Sequence, residues 1–579
     1  MNARDLLAAL LDPGTFRSWD DGPDDVRPDG PAGLGPAGPA GLGAATGYGA
    51  DLARAREKTG LDESVITGTG LIGGRRVAVA ATEFAFLGGS IGVAAGERLA
   101  HAIERATAER LPMISLPASG GTRMQEGTVA FLQMVKITAA VTAHKAAHLP
   151  YVAYLRHPTT GGVFASWASL GHLTIAEPGA LIGFLGPRVY QGLYGAPFPE
   201  DVQTAENLYA HGLVDAVVAP GDLAAFLDRV LTALTPAPHA APAPHAAPAP
   251  HAAPAPHAAP APHAAPAPYA ASPVPGRGAP PQEPPGVTGG AAWESVLRTR
   301  SASRPGGADL IREAATDAVL LQTGPPQIGP PQTAPPQTGP QTGPPQTGPP
   351  RHAGMILALA RVGGDPCVVV GQDRRQPPPG PAGLRLARRG IRLAAGLRLP
   401  LITVIDTPGA ELSPQAEEDG LAREIAWCLA DLLMHRGPTV SVLLGQGAGG
   451  AALALLPADR TLAAEHAWLA PLAPEGASAI VYRDGDHAAE LAARQGIRAT
   501  DLATLGIVDG VIPEPPAAAP APGFGPGFGP GLADALRRAL ADVTAQDENA
   551  RLAARAERYR HLGVPRQARA QPGPGGAAG

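Results

Sequence analysis

Cysteine is almost absent from this chain: its 579 residues include two, Cys367 and Cys428. Two thiols and no CxxC pair cannot build a disulfide framework or a cysteine-ligated zinc site. Free core thiols in a reducing compartment is the reading they support. Lysine is as scarce, with Lys58, Lys136 and Lys145 the only three. None stands in a GxxxxGK[ST] setting. The phrase Asp406-Thr407-Pro408-Gly409, which looks like the DxxG switch of GTPases, therefore has no phosphate loop to serve, and this chain is not expected to use ATP itself. Long apolar runs are also missing. The opening MNARDLLAALLDPGTF meets acid and proline by residue 13, a poor signal peptide, and no later run spans a bilayer. The cytoplasm is the expected compartment, with no membrane partner. The net charge of −6 has scattered signs and leaves no basic footprint for nucleic acid.

Side-chain catalytic motifs are missing too. A Gly-X-Ser-X-Gly elbow is absent; Gly88-Gly89-Ser90-Ile91-Gly92 is shifted by one. His144 and His148 stand four apart on a predicted helix without the glutamate of HExxH, and read as a surface pair. Asp406, Glu177 and Glu465 are single carboxylates near predicted strand ends and read as pairing or capping groups.

What is abundant is glycine and proline, 74 and 67 residues, gathered in four stretches rather than spread evenly. They divide the chain. Residues 1–47 read as a largely disordered N-terminal segment and 48–234 as a first globular domain. Residues 235–290 are a linker of repeated APHAAP, with histidines at 239, 245, 251, 257 and 263 on one edge of a polyproline helix. Residues 291–514 form a second domain carrying a PPQTGP insertion at 323–351. Residues 515–579 are a Pro/Gly linker and a helical tail over 532–562.

The two domains repeat one pattern. LPMISL at Leu111 answers LPLITV at Leu399, and Pro150, Gly161-Gly162 and Ala176 answer Pro438, Gly449-Gly450 and Ala464, all at an offset of 288. HGLVDAVVAP from His211 answers LGIVDGVIPE from Leu505. Within each domain, strands (from Arg75 and from Asp365) alternate with helices over 96–109, 128–147, 383–396 and 415–435. Short apolar runs alternating with amphipathic helices imply βα units and largely parallel sheets.

The glycine turns suggest chemistry. A strand that enters Gly-Gly and then a helix exposes backbone N–H groups at the positive end of the helix dipole, with room for another atom to approach. Such a turn is a backbone oxyanion hole. Each domain has two candidates: Ser119-Gly120-Gly121 and Thr160-Gly161-Gly162, then Pro408-Gly409 and Gly449-Gly450-Ala451. Anion holes without an evident protein base or nucleophile favour reactive groups supplied by substrates or a cofactor.

At these residues the chain resembles the carboxyltransferase component of biotin-dependent acetyl-CoA carboxylase. KTGLDESVITGTG (58–70), FAFLGGSIGVAAGERL (84–99), ASGGTRMQEG (118–127), the long phrase at 157–189 and HGLVDAVV (211–218) are similar to its beta subunit. GPAGLRLARRGIRLAAGLRLPLITVIDTPGA (380–410), GQGAGGAALAL (445–455), PEGASAIVYRD (474–484) and LGIVDGVIPEP (505–515) are similar to its alpha subunit. The arrangement resembles a beta–alpha fusion.

The resemblance implies an α/β fold of two tandem crotonase-like (ClpP/crotonase) domains joined by Pro-rich linkers. It implies transfer of a carboxyl group from carboxybiotin, borne on a separate carrier protein, to acetyl-CoA, giving malonyl-CoA for fatty acid or polyketide synthesis. It places one oxyanion hole at Gly161-Gly162 and the other at Gly450-Ala451. Gly89, Ser90, Gly92, Ser119, Gly120, Gly121, Gly409 and Gly449 are the remaining substrate- and cofactor-binding candidates. Acetyl-CoA or another short acyl-CoA, a biotin carboxyl carrier protein and an ATP-using biotin carboxylase are the implied partners, in a homo-oligomer of at least two chains.

Three departures from the family pattern stand out. No four-cysteine zinc ribbon precedes the first domain, so no metal is expected. The alpha-type glycine motif reads Gly447-Ala448-Gly449-Gly450-Ala451-Ala452 where the family has GGSGGA. The basic stretch after the first alpha strand is shortened to DRRQPPPGPAG (373–383). A non-catalytic or regulatory subunit, a propionyl-CoA carboxylase component and a malonyl-type decarboxylase component remain alternatives.

Overall fold

Two sheets of matching topology organise the residues that the computed structural model describes: 1–20, 47–195, 197–234, 290–321, 354–514 and 525–562. Each half opens its main sheet with an antiparallel hairpin. Val65–Ile72 pairs with Arg75–Thr82 across Gly73-Gly74, whose φ angles are +54° and +75°. Met355–Val362 pairs with Asp365–Gln372 across Gly363-Gly364, at +66° and +92°. Positive φ at both central residues matches the twist of the flanking strands, and glycine takes it without strain. The leading strand of each hairpin goes beyond the sequence reading, which expected largely parallel pairing and began the strand pattern within each domain at Arg75 and Asp365.

From the second hairpin strand onward the order is parallel and the same in both halves, while an antiparallel edge strand, Arg17–Ser18 or Ala315–Leu320, flanks the first hairpin strand. Arg75–Thr82, Met113–Leu116, Tyr151–Leu155, Leu173–Ala176 and Ala216–Val217 lie side by side. Asp365–Gln372, Leu401–Thr407, Thr439–Ala448, Arg460–Ala464 and Gly510–Ile512 repeat the order. Parallel neighbours need crossovers. Helices Val93–Ala108 and Gly127–Ala146 supply them in the first half, Pro381–Leu397 and Leu421–Leu433 in the second. The repeated Val-Asp phrase also has a structural cause. The Asp215 carboxylate accepts from Thr174 N–H at 2.6 Å and Asp509 from Thr461 N–H at 2.7 Å, tying the last two strands in each half.

Burial explains the apolar runs. Along Arg75–Thr82, Ala78 and Ala80 face the main core, while Val77, Val79 and Ala81 face a second cluster with Leu6, Leu10, Leu223 and Leu227. A strand covered on both faces shows no polar alternation. That second cluster corrects one expectation. Residues 1–47 read as largely disordered, yet Ala3–Leu10 is a helix capped by the Asn2 side chain and buries Leu6, Leu7 and Leu10. Arg17–Ser18 then adds an edge strand beside Val65–Ile72. Residues 21–46, 196, 235–289, 322–353, 515–524 and 563–579 lie outside the described residues, and with them the APHAAP linker but for residue 290 and the whole PPQTGP insertion at 323–351.

Two helices expected to be continuous are broken. Pro414–Glu418 and Leu421–Leu433 are separated by Gly420 at φ +82°. Gly525–Thr544 and Glu548–Arg560 are separated at Asp547, whose side chain caps the second.

The halves pack on each other. Gly127–Ala146 is buried on nearly every side, as its lack of a polar face requires. Its Phe131 and Met134 share one core with Ile425 and Leu429 of the second half. The Thr128 hydroxyl hydrogen-bonds the carbonyls of Leu469 and Gln495, both at 3.0 Å. Lys136 Nζ donates to Glu97 at 2.9 Å and to the Leu562 carbonyl at 2.7 Å, and Arg560 also binds Glu97. His144, expected at the surface, is fully buried on this helix between the Thr107 hydroxyl and the Pro150 carbonyl. No helix among the described residues is long and apolar enough to cross a membrane.

Candidate active site

In the first half the chain leaves Met113–Leu116 into the turn of residues 118–122 and leaves Tyr151–Leu155 into Thr159-Thr160 and the short helix Gly161–Phe164. The two turns are laced together. Ser119 N–H donates to the Pro158 carbonyl at 2.7 Å, and Thr160 N–H to the Ser119 carbonyl at 2.8 Å. Gly121 has φ +104°, and a Cβ there would stand 3.2 Å from the Gly162 nitrogen. Glycine is what permits that approach.

Hydrogen bonding sorts the amides. Gly120 N–H donates to Gly88 O at 2.8 Å, and Gly121 N–H to Ser119 Oγ at 3.0 Å. Gly161 N–H donates to Phe184 O at 3.1 Å. Three of the expected donors are therefore engaged. Gly162, second residue of its helix, has no intrahelical acceptor for its N–H and stands at the helix's positive end.

In the second half, Thr439–Ala448 runs into Gly449 at φ +66° and the helix Gly449–Leu453. A Cβ on Gly450 would lie 3.1 Å from Ile425 Cδ1, from Ile425 Cγ2 and from Phe184 Cε2. Ala451 is fully buried, and its carbonyl accepts from Gln372 Nε2 at 2.7 Å.

The two turns meet at one cavity of about 750 Å³. Gly120, Thr160, Gly161 and Gly162 form one wall, and Gly450, Pro471 and Leu472 another. Met124, Phe131, Phe184 and Ile480 make it largely apolar, and Arg483 brings a cation to its edge. None of the described residues lining it is a carboxylate or an imidazole. Of the residues singled out in the sequence, Gly120, Gly161, Gly162 and Gly450 border the cavity; Gly89, Ser90, Gly92, Ser119, Gly121, Gly409, Gly449 and Ala451 do not.

Several of the latter support the wall from behind. Ser119 Oγ donates to Gly89 O at 2.6 Å. Arg123, 1% exposed, donates to Glu63 at 2.5 and 3.0 Å and to Ser90 O at 2.8 Å. Burial alone would raise the Glu63 pKa, but the Arg123 charge and its hydrogen bonds hold it below the usual carboxylate range. Glu126 accepts from Val93 N–H at 2.6 Å, capping Val93–Ala108, and a Cβ on Gly92 would strike that carboxylate at 2.3 Å. Gly409, at φ +146°, donates its N–H to Thr407 Oγ1 at 3.2 Å.

Asp406 caps a strand end rather than lining the cavity. Its Oδ1 accepts from Gln446 N–H at 3.0 Å, and Oδ2 has no hydrogen-bond partner, with Arg374 Nε 3.9 Å away. Burial, only partly offset by Arg374, raises its pKa to about 6. Glu177 accepts from His157 N–H and Glu465 from Glu514 N–H, so both act within the backbone framework. Phe184 and Arg483 are cavity residues that the sequence reading did not single out. Arg483 stood in a quoted phrase, VYRD, but one arginine in a loop carries no pattern of its own.

Residues 47–274 match the model of a carboxyl transferase domain. Residues 352–563 match that of an acetyl co-enzyme A carboxylase carboxyltransferase-like family. A probable biotin-dependent acyl-coenzyme A carboxylase beta3 subunit of Mycobacterium tuberculosis is 52% identical over 97% of this chain and 98% of its own. The chain belongs to the acyl-CoA carboxylase carboxyltransferase family. The acetyl-coenzyme A carboxylase carboxyl transferase subunits beta/alpha of Salinispora tropica are 36% identical, over 90% of this chain and 83% of theirs. Those of Saccharopolyspora erythraea are 32% identical, over 98% and 89%. The carboxyltransferase is thus a fused chain with one carboxyltransferase domain in each half, built on mixed α/β sheets.

Proposed function

We propose that this carboxyltransferase moves a carboxyl group from carboxybiotin, carried on a separate protein, to acetyl-CoA, giving malonyl-CoA. The observation that carries the reading is that Gly162 and Gly450, from turns 288 residues apart, border one cavity. In this reading the Gly162 N–H donates to the thioester oxygen as negative charge develops on it in the enolate. The Gly450-Ala451 turn is the counterpart for the ureido oxygen of biotin. When bound, biotin supplies the carboxyl group and takes up the α-proton of the acyl group.

The walls suit this division. With no carboxylate or imidazole among the described lining residues, the chain's contribution is to bind, orient and stabilise charge. Met124, Phe131 and Ile480 give the substrates an apolar surface, and Arg483 offers a cation to an anionic part of either substrate. About 750 Å³ lies within the range of ordinary ligand sites, roughly 300–1,000 Å³, and leaves room for a thioester and a bicyclic ring together.

The same reading includes a biotin carboxyl carrier protein and a biotin carboxylase that uses ATP, because this chain has no phosphate loop. It also includes a cytoplasmic homo-oligomer of at least two chains. Both turns already meet within one chain, so assembly is not needed to bring them together. The test is the reverse reaction with biocytin as acceptor. Acetyl-CoA formed from malonyl-CoA supports the reading. Turnover of methylmalonyl-CoA alone would move the acceptor to propionyl-CoA. No turnover of either by folded protein would overturn carboxyl transfer by this chain.

A further inference from the structure

We infer that Glu417 is a positioning residue: a carboxylate from the second half that sets the first half's oxyanion hole. The inference rests on the carboxyltransferase reading above.

Glu417 lies in the short helix Pro414–Glu418, which Ser413 caps through a hydrogen bond to Ala416 N–H. Its side chain is buried and reaches across the boundary between the halves. Oε1 accepts from Phe184 N–H at 2.9 Å, Leu185 N–H at 3.1 Å and Gln203 Nε2 at 2.7 Å, while Oε2 accepts from Phe184 N–H at 2.9 Å. All three donor groups belong to the first half. Among the described residues no cation is within ion-pair distance of Glu417, and these N–H donors hold the carboxylate.

Phe184 then touches both turns. Its carbonyl takes the Gly161 N–H at 3.1 Å, which fixes the helix start and leaves the N–H of Gly162, a residue bordering the cavity, as the next donor of the turn. Its ring edge stands 3.1 Å from where a Cβ on Gly450 would be. Gln203 closes the frame, donating to the Leu185 carbonyl at 2.7 Å as well as to Glu417. Removing the carboxylate would free the Phe184–Leu185 backbone and let the Gly161–Gly162 turn relax. The loss would appear in transition-state stabilisation, because a hole displaced by a fraction of an ångström still admits substrate.

The experiment compares wild type, Glu417→Ala, Glu417→Gln and Glu418→Ala in the malonyl-CoA–biocytin reaction. Circular dichroism and the thermal midpoint are followed alongside. Glu418 is the neighbouring carboxylate, bonded to Asn207 at 3.3 Å, and its loss is expected to leave kcat within about twofold. Glu417→Ala is expected to lower kcat about 10- to 100-fold with KM nearly unchanged. Glu417→Gln, which keeps one of the two acceptor oxygens, is expected to recover only part of that loss and to stay several-fold below wild type. A Glu417→Ala protein that folds and keeps wild-type kcat would overturn the inference. So would an unchanged kcat in Glu417→Gln should the alanine variant not fold, since glutamine turns an NH₂ group toward a backbone donor. Folded wild type inactive with both malonyl-CoA and methylmalonyl-CoA would overturn the carboxyltransferase reading instead.

Discussion

Gly161 and Gly449 each begin a short helix at φ +66°, 288 residues apart, one in each half of the chain. The duplication read from the sequence is thus preserved in backbone conformation at the turns that carry Gly162 and Gly450 to the candidate active site. The same holds one turn earlier, where Gly121 and Gly409 both have positive φ, and at the helix ends, where Arg110 and Arg398 both have φ +54°.

A left-handed φ penalises any side chain with a Cβ. Gly449→Ala is expected to cost about 1–2 kcal/mol of stability. Gly161→Ala is expected to cost more, because its Cβ would also press on Gly120 O at 3.2 Å, whereas at 449 the nearest atom is Pro471 O at 3.5 Å. Urea midpoints of the two variants against wild type read the difference.

The Arg123–Glu63 pair holds the loop beneath the first turn, and both side chains are almost fully buried. Glu63→Gln leaves the buried arginine with Glu126, 3.2 Å away, as its remaining carboxylate partner and is expected to cost up to about 3 kcal/mol, the lower end for a broken buried pair. The pH dependence follows from the lowered pKa of Glu63. Its contribution is present above the unfolded value, near 4.5, and is lost as pH falls through the folded one. Denaturation curves between pH 7 and pH 3 are expected to show a shallower acid loss in Glu63→Gln than in wild type.

Asp406 has the opposite sign. Its folded pKa of about 6 exceeds the ordinary 3.8, so the folded state holds the proton more tightly. Above pH 6 the ionised group works against folding by up to about 2–3 kcal/mol, and this penalty fades as pH falls toward 4. Asp406→Asn keeps an oxygen for Gln446 N–H and removes the charge. It is expected to be as stable as wild type or more so at pH 8, with the advantage gone near pH 4. Urea midpoints at the two pH values check it.

The sequence exposed much of this and missed the rest for physical reasons. The offset of 288 and the strand–glycine–helix phrases located both turns, because local backbone chemistry leaves a local pattern. Which amide remains available did not show. The engagement of Gly161 N–H depends on Phe184, and that of Gly120 N–H on Gly88. Gly89, Ser90 and Gly92 stood in a family-like phrase but act from behind the wall, through Ser119, Arg123 and Glu126. His144 looked exposed because an isolated histidine on a helix gives no sign of what covers it. The helix expected over 415–435 hid its break at Gly420, since one glycine in a periodic run does not reveal its φ. Glu417 is visible only once the second half lies against Phe184.

The most direct test replaces one N–H group. Gly162→Pro removes the amide donor at a first-turn position that tolerates proline, and Gly162→Ala keeps the donor while adding a Cβ 3.1 Å from Thr122 Oγ1. In the malonyl-CoA–biocytin reaction the proline variant is expected to lose about 10²- to 10³-fold in kcat, and the alanine variant much less. Equal kcat in wild type and a folded Gly162→Pro protein would contradict the backbone oxyanion hole at the centre of this account.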